Sequence, residues 1–211
     1  MWIAIGCAAV CLGICLPLFF HYKVPRPALG ICFKGLGTLC AGVPALIAAL
    51  KLSPLAWVCV AALALHALAD VLLEVQFIWG MGCFLLGHIC YIAFFLNLFP
   101  LSAAHLVCTL ALGAGVFLLL SRQKQRIGKN MFPFACYGAV LCLAGACAIA
   151  GGGSAGTLQG LLIALGGALF LFSDGLLFHN MMVPGGRSMD WMIMISYYCA
   201  QLCLAASCLF L

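Results

Sequence analysis

Eight times along this chain, about 20 consecutive residues pass with almost no charge, the length an α-helix needs to cross a hydrocarbon core. The runs cover residues 2–20, 30–50, 54–73, 78–97, 101–120, 131–149, 156–178 and 189–210. In lipid every backbone amide must be satisfied within its own segment or a closed barrel. Barrel strands are short and alternate in polarity, whereas these runs are long and unbroken. Of the 211 residues 67% are hydrophobic and 6% charged. No soluble domain of this size hides so much apolar surface, so lipid is the solvent. The expectation is an all-α polytopic membrane protein with eight transmembrane helices in one domain, residues 1–211.

The basic residues set the orientation. Lys23, Arg26, Arg122, Lys124, Arg126, Lys129 and Arg187 fall in connections on one side, those after runs 1, 5 and 7; the connection after run 3, on the same side, holds no Lys or Arg. The opposite connections hold only Lys51, and Lys34 lies inside run 2. The positive-inside rule then predicts both termini outside and the basic connections in the cytoplasm. Run 1 has no basic n-region and no clear cleavage site before His21, so a retained helix is expected rather than a signal peptide. The net charge of +5 is thereby a topology signal, and nothing in it supports nucleic-acid binding. Fifteen cysteines occur without a Cys-x-x-Cys, and no Cys/His spacing suits zinc, so no metal is expected. In apolar helices cysteine packs as a small hydrophobe.

Ionisable groups at membrane depth are costly and mark function. Run 3 ends with His66, Asp70 and Glu74 at i, i+4 and i+8, on one helix face. Run 4 carries His88 and Tyr91, run 7 carries Asp174, and run 8 carries Tyr197, Tyr198 and Gln201. Lys34 sits about one turn inside run 2, where it can snorkel, neutralise a carboxylate or grip a phosphate. Ala69-Asp70-Val71-Leu72-Leu73 is echoed by Ser173-Asp174-Gly175-Leu176-Leu177. The echo predicts a duplicated four-helix unit with halves near 1–99 and 100–211, which places both aspartates on the same side. The Gly151–Gly156 run predicts a flexible outer loop, and Ser188 and Asp190 predict the start of run 8.

Three carboxyls facing one cation in a low-dielectric site are not all charged together. One carboxylic acid beside one carboxylate is the arrangement used for acid–base hydrolysis. Leu68-Ala69-Asp70-Val71-Leu72-Leu73, Gly82 to Tyr91, Leu169 to Asp174 and Tyr197-Tyr198-Cys199-Ala200-Gln201 together resemble the YhhN family of membrane lysoplasmalogenases. Lys34-Gly35-Leu36 is similar to that family's Lys-Pro-Leu element. Ala69 replaces a usual Gly, His66 a small hydroxyl residue and Gly35 a Pro, while both acids remain.

The resemblance implies hydrolysis of the vinyl ether bond of lysoplasmalogens, giving a fatty aldehyde and glycerophosphoethanolamine or glycerophosphocholine. It implies Asp70 and Asp174 as the catalytic pair. Lys34, Glu74, His88, Tyr91, Tyr197, Tyr198 and Gln201 would serve as substrate-binding groups, and no cofactor is implied. The partners expected are a lysophospholipid substrate and membrane lipid, in a bacterial inner membrane or the endoplasmic reticulum. The rival reading is a transporter or lipid-binding protein with a polar cytoplasmic-side cavity.

Overall fold

A computed structural model describes residues 2–211. The described residues are 90% helical and contain no strands. Among the described residues, eight helices are long and apolar enough to cross a membrane: α1 Trp2–Tyr22, α2 Pro27–Lys51, α3 Ala56–Val75, α4 Phe77–Leu98, α5 Ala103–Arg122, α6 Lys124–Ser154, α7 Leu158–Met182 and α8 Gly186–Phe210. The chain is therefore built as a multi-pass membrane protein.

Connections are minimal, so sequential helices are antiparallel neighbours. Gln76 alone separates α3 from α4, in extended backbone that no helix can continue. Gly80 opposes the Leu73 backbone just beyond this turn, where a Cβ would collide. Small residues let helices approach closely where lipid supplies no hydrophobic drive between them. The antiparallel pairs α3–α4 and α7–α8 are the most extensively packed, and α8 also lies against α2. α8 is the most buried span and α5 the least; α5 leans chiefly on α6 and shows lipid a row of bare side chains that includes Leu106, Leu110 and Phe117.

Two local expectations change, and the basic stretch after α5 gains local structure. The Gly151–Gly156 run is largely helix, because Gly151 sits on the Phe99 ring and Gly152 on the Gly160 backbone, contacts open only to glycine. A π-helical turn, Cys147–Gly151, carries the helix into that contact. The basic stretch after α5 is also structured: Lys124–Ile127 is helical, Ile127 is buried, and Arg126 Nη1 donates to the Met182 carbonyl at 2.8 Å. Finally, α8 starts at Gly186, whose φ of 73° is a left-handed value suited to glycine, and has no side-chain cap. Asp190 instead accepts from Asn180 Nδ2 at 2.9 Å and pairs with Lys23 at 3.4 Å, tying the α7–α8 connection to the end of α1.

Candidate active site

Asp70 and Asp174 line one cavity of about 530 Å³. They reach it from α3 and α7, which run the same way, so both lie toward the end of the bundle that carries the basic connections. Lys34, Glu74, Ser173, Tyr137 and Tyr197 also face the cavity. The rest of the wall is apolar, including Phe77, Met81, Phe84, Leu112, Val116 and Leu141. A few charged and hydroxyl groups thus share the space with a mainly apolar wall.

Asp70 is fully buried, and a buried carboxylate requires partners. Its Oδ2 accepts from Thr38 Oγ1 at 2.5 Å and from the Tyr197 hydroxyl at 2.9 Å. One donor comes from α2 and the other from α8, so three helices fix this carboxyl. Asp174 keeps more of its side chain accessible, 13%. Its Oδ2 accepts from the Tyr137 hydroxyl, and His88 Nε2 lies 4.0 Å away. His88 Nε2 is also 3.4 Å from that hydroxyl, so the ring orients the tyrosine that holds the acid.

Lys34 pairs with Glu74, Nζ to Oε1 at 2.8 Å, rather than with either aspartate. Its ammonium lies 5.7 Å from the Phe19 ring centroid. Four residues separate Asp70 from Glu74, about one helical turn or ~6 Å along α3. Glu74 therefore stands about one turn closer to the end of α3 than Asp70 does.

Several expected binding residues lie behind the wall. Tyr91 donates to Gln201 Oε1 at 2.7 Å, Gln201 Nε2 donates to His66 Nδ1 at 2.8 Å, and His66 Nε2 donates to the Phe84 carbonyl at 3.3 Å. Every donor in this relay has an acceptor, which fixes His66 as the Nε2–H tautomer. The relay joins α3, α4 and α8, and Tyr91 and Gln201 do not line the cavity. His66 also turns away from it, although Asp70 and Glu74 on the same helix face it. Tyr198 donates to the Lys34 carbonyl at 2.9 Å and lies off the cavity, with Gly37 leaving room for its ring. Tyr91, Tyr198 and Gln201 therefore lie off the cavity with their polar atoms bonded to protein partners. His88 acts on the site through Tyr137 and Asp174.

Two residues at the site escaped the sequence reading. Thr38 stands four residues after Lys34 on the same face of α2, a spacing that flags it. Tyr137 is the only phenol in the run 131–149, an isolated polar group with no motif around it. The contributions of α5 and α6 to the wall were likewise unmarked, because Ala111, Leu112, Gly115 and Leu141 read as ordinary lipid-soluble residues.

No curated protein and no solved structure gives a significant match. The family model described as YhhN family matches residues 29–208, which takes in every cavity residue named above. With most of its length matched and eight membrane-type helices, the chain belongs to the YhhN family.

Proposed function

We propose that the protein is a lysoplasmalogenase, hydrolysing the vinyl ether bond of lysoplasmalogens. The observation that carries this reading is two carboxyls, from different helices, facing one cavity whose remaining wall is mostly apolar. A single-tailed lipid has the same shape: one long apolar chain and one compact polar end. Its tail would lie along α5, α6 and the Met81–Phe84 wall. Its vinyl ether would stop between Asp70 and Asp174.

The chemistry needs an acid and a base. Asp174 transfers its proton to the β-carbon of the vinyl ether, leaving an oxocarbenium ion. Asp70, with two hydroxyl donors on one oxygen, serves as the carboxylate; it stabilises the cation and takes a proton from the attacking water. Water oxygen bonds to the α-carbon and gives a hemiacetal. The hemiacetal hydroxyl then returns a proton to Asp174 while Asp70 protonates the departing glycerol oxygen. The C–O bond breaks, the fatty aldehyde and the glycerophosphoethanolamine or glycerophosphocholine leave, and both carboxyls are back in their starting states. Tyr137, Tyr197, Thr38 and His88 position the pair.

We place the two aspartates on the cytoplasmic side of the bundle, with both termini outside, because the basic connections lie at that end. The decisive experiment gives the purified protein a lysoplasmalogen and its saturated ether analogue and measures aldehyde. Release from the first alone supports the assignment. Release from neither, or uptake of solute into liposomes without bond cleavage, overturns it.

A further inference from the structure

Resting on that reaction, we propose that the Lys34–Glu74 ion pair is the headgroup site and selects a phosphate followed by a primary ammonium, the ethanolamine type. From Asp70 outward, the charged groups of α2 and α3 come in a fixed order. Asp70 is fully buried, the Lys34 side chain is 8% exposed and the Glu74 side chain is 30% exposed. A lysoplasmalogen held with its vinyl ether at the aspartates presents its groups in a matching order: glycerol, then an anionic phosphate, then a cationic amine. The inner ammonium of Lys34 meets the phosphate and the outer carboxylate of Glu74 meets the amine.

The pair is suited to exchange partners. Lys34 Nζ has three donors, of which Glu74 Oε1 takes one, so a phosphate oxygen can be held by the others. When the phosphate draws Lys34 away, Glu74 Oε1 loses an N–H donor in a partly dry site, and an unpaired buried charge is costly. A primary ammonium replaces that donor. A trimethylammonium has no N–H to offer, and such a group is better served by an aromatic cage. Before substrate arrives, each charge neutralises the other, which lets two ions wait in a mainly apolar cavity.

The test uses full-length protein in detergent with four vinyl ether lipids sharing one tail. Their polar ends are glycerophosphoethanolamine, glycerophosphocholine, glycerol phosphate and uncharged glycerol. The wild type should favour ethanolamine over choline and over bare phosphate by about tenfold in KM, the scale of one charge-assisted hydrogen bond. Glu74→Gln should bring those three within about twofold of one another, since the amine loses its charged acceptor. Lys34→Gln should raise KM for every phosphate-bearing lipid and not for the uncharged one. The charge-swapped double variant K34E/E74K keeps an ion pair but reverses the order of charges, so it should stay impaired on the ethanolamine lipid. Restoration by the swap, or an equal loss on all four lipids with Glu74→Gln, makes the pair structural and overturns the inference.

If the wild type cleaves none of the four, the reaction itself fails. The headgroup inference is then judged by affinity for the saturated ether analogues, where Glu74→Gln must still erase the ethanolamine preference.

Discussion

The two aspartates share a cavity but not an environment. Asp70 is held from both sides by Thr38 on α2 and Tyr197 on α8. Asp174 leans on Tyr137 of α6, and α6 in turn supports α5, the span with the least protein around it. One carboxyl is thus fixed by the core, whereas the other belongs to a wall that lipid helps to form. A base that must aim water is served by rigidity. An acid that must meet a long, flexible tail is served by a wall able to yield as the tail enters.

Replacing either acid tests the pair most directly. Asp70→Asn or Asp174→Asn should each lower aldehyde release by about a thousandfold or more, since each removes a whole acid–base function. A variant keeping near-normal release takes that residue out of the mechanism. The supporting hydroxyls sharpen the contrast. Thr38→Val and Tyr197→Phe should each lower kcat by about 10–100-fold, a lost hydrogen bond to a charged group being worth roughly 1.5–3 kcal/mol. Tyr137→Phe should cost less, because the more accessible Asp174 can find a water partner. Equal losses would mean that the two carboxyls are held alike.

Packing variants separate core from wall more gently. Gly87→Ala pushes a Cβ into the His66 ring and should lower stability in detergent by about 1–3 kcal/mol, the usual cost of overpacking. Gly82→Ala, on the same helix with nothing within 4 Å, should leave the unfolding midpoint unchanged. Loss of stability from both would show that α4 is sensitive along its whole length. The smallest effect is expected on the yielding wall. Gly115 of α5 lines the cavity and has open space where a Cβ would stand. Gly115→Leu should therefore reduce turnover of long-tailed substrates about five- to tenfold more than short-tailed ones, as pocket-filling methylenes do. Uniform rates across tail lengths would move the tail elsewhere.

Much of this was legible in the residues. Runs without charge dictate helices because lipid offers the backbone no partner, and eight runs give eight spans. Isolated acids in such runs announce themselves, because burying a charge without purpose is costly. The polar residues of α8 stand out for the same reason, yet their roles are not legible in the sequence. Tyr197 and Tyr198 are adjacent, and a helix sends adjacent side chains about 100° apart, so one meets Asp70 and the other the back of Lys34. Which neighbour waits on each side depends on how α2 and α8 cross.

The sequence by itself determined the solvent, the number of spans and the charged residues that need an explanation, since each follows from the cost of polarity in hydrocarbon, a local quantity. Tertiary structure alone decided that Lys34 answers Glu74 and not an aspartate, that Thr38 and Tyr137 hold the acids, and that Tyr91, Gln201 and His66 close a relay behind them. Those pairings form between helices far apart in the chain, and a hydrogen bond reaches about 3 Å, so only the packing of one helix on another can say which partners meet.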